Sequence, residues 1–510
     1  MIKNIQGVQF FLIKSVGIKF LFLFLCYFVL SSCRDRVERN TDLNNASYSK
    51  VVKKPNIIYI LADDLGYGDL SSYGQQKFNT PNIDKLASDG MKFLQHYSGS
   101  TVCAPSRSSL MTGLHTGHTI IRGNKEIKPE GQFPISDETF TLAEQLKLAG
   151  YTTGAFGKWG LGYPGSEGDP NRQGFDVFFG YNCQRMGHHY YPHHLWSNQD
   201  SLIIKENEGY LKGVYGPELI QEKTLEFIEK NKNQPFFLYV PSIIPHAELA
   251  APERNMNKYR NEFKPDKPYR GTDSGNRYRR GPYESQKETH TAFAAMIDLL
   301  DEQVGEIIEK VNELGIADET IIVFASDNGP HRAGGGDPAF FNGNGPLRGI
   351  KRDLYEGGIR VPMIVKWPGK IKPGSTSNHV SAFWDVFPTF SEIAGVECPD
   401  STDGISFLPE LLGKTEHQVK HEYLYWEFHE RGGRQAIRMG DWKGVKYNVM
   451  KNPDAEIELY DLATDLSETK NIASHHPDII KKMGRLMIEA RSTSEIFPFI
   501  ESKISNPKNN

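Results

Sequence analysis

The chain is poor in the features that would mark it as a zinc-bound, repetitive or strongly basic protein. Its 510 residues contain five cysteines, without a Cys-x-x-Cys pair or a Cys/His arrangement at zinc-ligand spacing, which argues against a structural zinc site. No internal repeat or low-complexity tract is present, which argues against a solenoid. The 59 Lys and Arg against 63 Asp and Glu give a net charge of −4. This argues against general nucleic-acid binding, and we expect no nucleic-acid partner.

A long hydrophobic run is also missing, because the apolar stretch at residues 20–30 is too short to span a bilayer comfortably. Three lysines precede it, and Leu30-Ser31-Ser32-Cys33 follows it. This segment resembles a bacterial lipoprotein signal. The resemblance predicts a lipoprotein signal over residues 1–33, in which cleavage leaves Cys33 as the lipidated N-terminus, and a tether over residues 34–53. We expect an exported protein held in the cell envelope, at the periplasm or cell surface, by its lipid alone. A plain signal peptide or a single-span anchor is the alternative.

What the chain does have is a distinctive pentapeptide, Cys103-Ala104-Pro105-Ser106-Arg107. Residues 106–112 are typical of a helix start, which places Cys103 just ahead of a helix N-terminus, where free N–H groups and the helix dipole favour an anion. Arg107 adds a permanent positive charge on the first turn. A buried cysteine beside a capped helix is the alternative interpretation of this pentapeptide alone.

Short apolar runs alternate with helical patterns over most of the chain, which predicts an α/β fold with a mostly parallel sheet flanked by helices. The predicted strands are residues 56–62, 151–156, 235–240, 320–325 and 361–366, and the predicted helices include residues 141–148 and 290–314. After about residue 415 a hairpin pattern and a final helix predict a smaller α+β subdomain with an antiparallel sheet. We expect a catalytic domain over 54–414, this subdomain over 415–500 and a tail over 501–510.

Polar side chains follow the predicted strand ends, where ligands bind in parallel α/β sheets. They are Asp63, Asp64, Lys158, His246, Asp327 and Asn328. The three carboxylates and the amide oxygen suit Ca²⁺ or Mg²⁺, with Mn²⁺ possible. No His or Cys accompanies them in the sequence, which disfavours zinc. For Asp63-Asp64 alone, a helix or loop cap is the alternative.

Several motifs in order along the chain resemble the type I sulfatases, a family within the alkaline-phosphatase-like superfamily. The pentapeptide with Leu110-Met111-Thr112-Gly113 matches the family's C-x-P-S-R…TG maturation sequence. The other matching segments are Asp63-Asp64-Leu65-Gly66, Gly157-Lys158-Trp159, Asp327-Asn328-Gly329, Lys351 with Glu356 to Pro362, and Glu458 to Leu462 with Asn471-Ile472-Ala473. The resemblance spans residues 54 to 490 and implies an alkaline-phosphatase-like fold.

The resemblance also implies a mechanism. Cys103 would be oxidised to Cα-formylglycine (3-oxoalanine) by a separate maturase acting on the unfolded chain. One hydroxyl of the hydrated aldehyde would attack sulfur and release the alcohol, and the other would then lose its proton and expel sulfate.

The resemblance further implies a role for each matching residue. Asp63, Asp64, Asp327 and Asn328, together with the modified Cys103, would hold one Ca²⁺ per chain. Arg107 would orient the diol. Lys158 and Lys351 would bind sulfate oxygens, and His246 would serve the leaving oxygen as general acid or hydrogen-bond donor.

One position departs from the family pattern. Many members have His two residues after the equivalent of Lys158, whereas this chain has Gly160. Our hypothesis is that His115 or His118, one or two helical turns past Arg107, takes over part of that role. Surface or core histidines are the alternative interpretation.

Two further segments bear on the substrate. Residues 183–196 contain four His and three aromatic residues, a composition suited to sugar binding, and we predict that His188, His189, Tyr190 and Tyr191 shape the leaving-group subsite. A loop packed by aromatics is the alternative. Residues 251–280 contain nine Lys or Arg against four Asp or Glu, typical of a solvated loop or of a rim that attracts a polyanion.

We therefore expect a sulfatase acting on a sulfated carbohydrate. Two alternatives stay open: a phosphoester or phosphonate hydrolase on the same fold, and a lipid-anchored glycan-binding protein with an inactive site. A metal count separates the two enzymes, since two-metal phosphatases need further His and Asp ligands.

Overall fold

A computed structural model describes residues 53–499 of the chain. The expected signal peptide with Cys33, the tether up to residue 52 and the tail at 501–510 lie outside the described residues. Within residues 53–499, none of the helices combines the length and the apolar character needed to cross a membrane.

Fifteen strands form two sheets within the described residues. They are β1 (Asn56–Ala62), β2 (Met91–Tyr97), β3 (Thr152–Lys158), β4 (Val177–Tyr181), β5 (His194–Ser197), β6 (Asp200–Ile203), β7 (Phe236–Pro241), β8 (Thr320–Ser326), β9 (Arg360–Lys366), β10 (Ser375–Ser377), β11 (Ser381–Ala382), β12 (Leu424–Phe428), β13 (Arg434–Met439), β14 (Trp442–Tyr447) and β15 (Ile457–Asp461).

Helices cover both faces of the larger sheet. They are α1 (Pro81–Asp89), α2 (Cys103–Thr112), α3 (Leu142–Leu148), α4 (Gly216–Asn231), α5 (Glu253–Tyr259), α6 (Thr289–Glu313), α7 (Pro338–Phe341), α8 (Glu356–Ile359), α9 (Val386–Ala394), α10 (Leu408–Leu411) and α11 (Pro477–Glu489). Two buried apolar clusters lie on opposite faces of this sheet, because alternate residues of β1, such as Ile58 and Tyr59, belong to different clusters.

The larger sheet has the order β10-β2-β9-β8-β1-β7-β3-β4-β5-β6, with β11 also paired to β2. The central strands β8, β1, β7, β3 and β4 are parallel. Every residue of β1, β7 and β8 is buried, as expected where helices cover both faces of parallel strands. This arrangement confirms the predicted fold class.

The sheet margins differ from the simple pattern that the sequence indicates. The predicted strand at 361–366 is β9, which runs antiparallel to both of its neighbours. The inner strand β4 and the marginal strands β2, β5, β6, β10 and β11 were not expected from the sequence. Their short or partly exposed segments lack the continuous apolar run that marks the centre of the sheet.

The smaller sheet is antiparallel, in the order β12-β13-β14-β15, and α11 packs against it. Buried ion pairs join it to the larger sheet's helices and loops. Arg122 bonds Glu427 of β12 at 2.9 Å, and Lys443 of β14 bonds Glu356 of α8 at 2.7 Å. Because each partner would be an uncompensated buried charge without the other, these pairs make the placement of the smaller sheet specific.

Candidate functional site

Cys103 lies within a buried polar cluster at the carboxyl edge of the large sheet. The sequence placed it just before a helix, whereas it is the first residue of α2. The helix can begin two residues ahead of Pro105, because a first-turn proline lacks only an N–H that has no intrahelical partner. Cys103 is 2% exposed, and its thiol lies 3.2 Å from Asp63 Oδ1.

The four expected metal ligands come together because β1 and β8 are parallel and in register, with Ala62 opposite Ser326. Asp63-Asp64 and Asp327-Asn328 therefore leave the sheet side by side. The Asp64 N–H donates to Asp327 Oδ1 at 3.0 Å, and Asn328 Nδ2 donates to Asp64 Oδ1 at 2.7 Å.

A buried cation partners each of the three carboxylates. Arg107, one turn into α2, donates to Asp327 Oδ2 from Nε at 3.1 Å and Nη2 at 2.9 Å. Lys158, the last residue of β3, lies 2.6 Å from Asp63 Oδ2. Lys351 lies 2.6 and 2.7 Å from the two oxygens of Asp64.

The two lysines also flank the nucleophile position. Lys158 Nζ lies 3.6 Å and Lys351 Nζ 3.5 Å from Cys103 Sγ. The structure thus brings Cys103, Arg107, Lys158 and Lys351 together with the expected metal ligands.

Burial and crowding shift the acid–base behaviour of the cluster. Burial, and then the charges of Asp327 and Asp63, raise the pKa of the Cys103 thiol far above its usual value. Burial and the neighbouring Asp63 raise the pKa of Asp327 to about 7. Burial opposes ionisation of Asp63, but Lys158, His246 and Arg107 together hold its pKa well below the usual range. The unmodified thiol is therefore a poor nucleophile at neutral pH.

The donor set fits a hard divalent cation. Three carboxylates and the Asn328 side chain converge, and the buried Asn328 Oδ1 accepts no hydrogen bond within the described part of the chain. A buried acceptor without a partner is costly, and a cation would satisfy it. Contrary to the sequence argument, a Cys and a His do accompany these ligands: Cys103 and His246 lie within 4.8 Å of Asp63 and Asp64. Cys103 comes from the first turn of α2 and His246 from the loop after β7. Because four of the donor side chains offer carboxylate or amide oxygens, the set still favours oxygen-loving cations over zinc.

His246 lies beside the cluster, in the loop after β7, and is buried. Its Nδ1 contacts the carbonyl oxygen of Ala247, which can only accept, so Nδ1 carries the proton. Nε2 lies 3.4 Å from Asp64 Oδ2. Burial and the charge of Lys351 lower the pKa of His246 well below its usual value. The ring is therefore neutral, with its Nε2 lone pair directed into the site.

The segment over residues 183–196, rich in His and aromatic residues, divides into two parts. The His188 ring stacks on His246, with centroids 4.4 Å apart and 7° between planes. His189 and Tyr190 are fully buried: His189 Nδ1 lies 3.3 Å from Glu248, and the Tyr190 hydroxyl lies 2.8 Å from the His246 carbonyl oxygen. Tyr191 packs edge-on to Tyr215. Of the four side chains, His188 thus stacks on the His246 ring, while the Tyr190 hydroxyl bonds the backbone of the loop that carries His246.

The structure does not bring His115 and His118 to Cys103. Their rings stack 4.4 Å apart, and His118 Nδ1 lies 2.8 Å from Asp403. The other ring partners of His115 are Trp384 and Tyr425. None of these belongs to the Cys103 cluster.

Gln184, which the sequence analysis missed, occupies the space left by Gly160. Gly160 has a φ of +79°, and a Cβ built there would lie 1.8 Å from Gln184 Nε2. Gln184 is 6% exposed, and neither atom of its carboxamide has a hydrogen-bond partner within residues 53–499. The Gly160 N–H donates to the Asn182 carbonyl, which draws the segment after β4 against the end of β3. The one signal in the sequence is Gly160 itself, because a glycine leaves space that a side chain from another segment can fill.

Family models match nearly the whole described chain. The Sulfatase model matches residues 55–396, and the model for the C-terminal part of N-sulphoglucosamine sulphohydrolase matches residues 350–493. The first alone covers more than half of the chain and includes the entire Cys103 cluster.

Individual proteins agree with the family models. The chain is 29% identical over 534 residues to an N-acetylgalactosamine-6-O-sulfatase of Bacteroides thetaiotaomicron, covering 90% of this chain and 96% of that protein. It is 30% identical over 487 residues to human arylsulfatase A, covering 86% and 88%. Among solved structures, Ps i-CgsB in complex with a neocarrahexaose superposes with a TM-score of 0.70 at 27% identity, covering 86% and 92%.

The expected alternative also has a structural neighbour. A phosphonate monoester hydrolase of Agrobacterium radiobacter superposes with a TM-score of 0.58 at 20% identity, covering 86% of this chain and 95% of that one. This likeness shows a shared fold alone. Given the family models and the relatives together, the chain belongs to the sulfatase family and is a sulfuric ester hydrolase.

Proposed function

We propose that this sulfatase releases sulfate from a sulfated carbohydrate, with a formylglycine made from Cys103 as nucleophile and one bound Ca²⁺. The observation that carries the proposal is the position of Cys103, whose Sγ lies within 3.6 Å of both Lys158 and Lys351 and 3.2 Å from Asp63. The Bacteroides relative is named for an N-acetylgalactosamine sulfate, and the superposed structure holds a carrageenan-type oligosaccharide. Both names support a sugar substrate.

The state of Cys103 supports its modification. As a thiol it is protonated and enclosed, and an enzyme that oxidises it has no access in the folded chain. We therefore propose that a separate maturase acts before folding. The hydrated aldehyde supplies one hydroxyl for attack on sulfur and a second hydroxyl whose deprotonation releases sulfate, which a serine in this position could not do.

The surrounding residues have distinct roles in this proposal. Lys158 and Lys351 bind the sulfate oxygens on either side of residue 103 and offset charge as it develops. Arg107 fixes Asp327 and, through it, the amide of Asp64. His246, neutral with its Nε2 lone pair facing the site, accepts a hydrogen bond there. To serve the leaving oxygen as general acid it must first take up a proton at Nε2. A Ca²⁺ held by Asp63, Asp64, Asp327 and Asn328 would polarise the sulfate and favour the ionised nucleophile.

Charge balance agrees with this assignment. Three buried carboxylates face three buried cations, so the cluster is neutral when all three carboxylates are ionised. A divalent cation makes it positive, which favours a sulfate monoester anion. Because the site is almost closed to water, this complementarity acts at low dielectric and is stronger than at an exposed surface.

We further propose that Gln184 takes over part of the role that many relatives give to a histidine at the position of Gly160. Its carboxamide fills that space, is buried and has both donors and its acceptor unused. A bound substrate or diol that satisfied them would remove the cost of burying an unpaired amide.

Export and lipid attachment through Cys33 are part of the same proposal, supported by the N-terminal sequence alone. Metabolic labelling with a clickable fatty acid tests them: we expect label on the natural chain and none on Cys33→Ala. Label on both would contradict the proposed anchor site.

Sulfate release from a panel of sulfated monosaccharides and oligosaccharides tests the function, with phosphate and phosphonate esters assayed alongside and the metal counted per chain. We expect release of sulfate and one metal ion. Preferential hydrolysis of the phosphorus esters with two metal ions would favour the alternative hydrolase. Binding of the glycans without turnover, despite a confirmed aldehyde, would favour the inactive binding protein.

A further inference from the structure

A cavity of about 710 Å³ lies beside the sulfate site and has no part in the chemistry described above. Its size is within the range of pockets that enclose small ligands. Its lining residues include Arg185, Met186, His193, Tyr210, Tyr278 and Arg280.

The cavity and the sulfate site share a wall. Arg185 and Met186 line the cavity, and Met186 begins the single 3₁₀ turn Met186–His188. At the other end of that turn, the His188 ring stacks on His246, whose Nε2 lies 3.4 Å from Asp64. One turn of backbone therefore separates the cavity from the catalytic cluster.

A second segment makes the same connection. Arg280 lines the cavity, and the N–H of the next residue, Gly281, donates to His189 Nε2 at 3.2 Å. Two residues further, the Tyr283 ring lies 5.4 Å from His188. Two backbone segments thus line the cavity at one end and contact His188 or His189, beside His246, at the other.

Some charged side chains that line the cavity have a partner of opposite charge within residues 53–499, and one does not. Glu130 is paired with His194 at 2.8 Å, and Arg279 with Glu284 at 3.2 Å. The exposed Arg280 guanidinium, in contrast, has no hydrogen bond or ion pair to any residue within 53–499. A planar guanidinium with free donors suits a sulfate or carboxylate group.

The cavity also offers aromatic surface. The Tyr210 side chain is 62% exposed, and its ring centroid lies 5.1 Å from that of Tyr278. Exposed tyrosine rings stack on the apolar faces of sugars while their hydroxyls remain hydrated. Free positive charge beside such rings is a combination suited to an anionic sugar.

We propose that this cavity is a subsite for a second anionic sugar unit, carrying sulfate or carboxylate, of the same oligosaccharide whose sulfate ester lies at Cys103. The inference rests on the proposed function, because it takes the substrate to be a glycan. It makes the enzyme selective for polyanionic oligosaccharides over sulfated monosaccharides.

Binding without turnover tests the subsite separately from the reaction. The Cys103→Ala chain is titrated calorimetrically with a chondroitin 6-sulfate tetrasaccharide and with N-acetylgalactosamine 6-sulfate. We expect Arg280→Ser in this background to weaken tetrasaccharide binding about tenfold, as for the loss of one charge-assisted hydrogen bond. Monosaccharide binding should change less than about twofold, the scale of an exposed charge.

Arg277→Ser is the matched control, because Arg277 is exposed, lies in the same segment and does not line the cavity. It removes the same charge, so any general attraction between the protein and a polyanion falls equally in both variants. Equal weakening by the two variants, or no tetrasaccharide binding at all, would overturn the proposal. Tetrasaccharide binding that depends on Arg280, without sulfate release by the aldehyde-bearing enzyme, would instead refute the proposed reaction and leave the subsite standing.

Discussion

Replacing Lys351 by methionine separates the electrostatic role of this residue from its shape. The lysine lies 2.6 and 2.7 Å from the two oxygens of Asp64 and is 5% exposed. Methionine keeps most of the side-chain volume and removes the charge. Asp64 then retains the Asn328 amide and its own backbone contacts, but loses its strongest partner.

The expected size follows from the burial of the pair. Removing one member of a buried ion pair costs roughly 3–5 kcal/mol, because the other charge is left uncompensated. We expect this loss of unfolding free energy in the absence of a divalent cation. With the lysine gone, the cluster has a net negative charge, so Ca²⁺ should bind more tightly. A tenfold gain in affinity corresponds to about 1.4 kcal/mol of additional stabilisation by saturating Ca²⁺.

Urea unfolding of the natural chain and Lys351→Met, each in chelator and in Ca²⁺, measures both effects. Lys370→Met is the control, since Lys370 is exposed and its replacement should change stability by no more than about 0.5 kcal/mol. Sulfate release by the aldehyde-bearing variant should fall about 10²- to 10³-fold. A variant as stable as the natural chain in chelator, or stabilised less by Ca²⁺, would refute the charge-balance reasoning.

Three further predictions concern residues around and away from the nucleophile. Gln184→Ala should lower kcat for sulfate release about 10²-fold, whereas His115→Ala should leave it unchanged; the reverse result would return the missing histidine's role to His115. His188→Ala should lower kcat/KM on a sulfated oligosaccharide about tenfold, and an unchanged value would remove it from the sugar subsite. Burial opposes ionisation of Glu427, but His429 and two arginines lower its pKa to about 2. Its stabilisation is therefore present above the unfolded pKa of about 4.3 and is lost as pH falls toward 2. Urea unfolding should show Glu427→Gln less stable by about 3 kcal/mol at pH 7, with the gap narrowing below pH 5; a gap independent of pH would contradict this.

The centre of the fold and of the site could be predicted because both depend on local sequence. Buried parallel strands such as β1 are continuous apolar runs, and Asp63, Lys158 and Asp327 occur where those runs end. Parallel neighbours then bring these side chains to one edge. The short or exposed marginal strands have no such signal, because their place depends on tertiary packing.

Other features of the site depend on contacts between distant segments, which spacing does not encode. Gln184 fills the space at Gly160 only because the segment after β4 folds over the end of β3. His115 is near Arg107 along the chain but is held by Asp403, nearly 300 residues away.

The central claim is that residue 103 reacts as formylglycine, and the dependence of activity on aldehyde content tests it most directly. Samples expressed with and without a formylglycine-generating maturase would be quantified by peptide mass, and sulfate release from a sulfated oligosaccharide would be measured per chain, with Cys103→Ala as the zero point. We predict that release is proportional to the aldehyde fraction and vanishes with it. Release that persists without the aldehyde, or no release from fully converted protein on any sulfated sugar, would contradict the account.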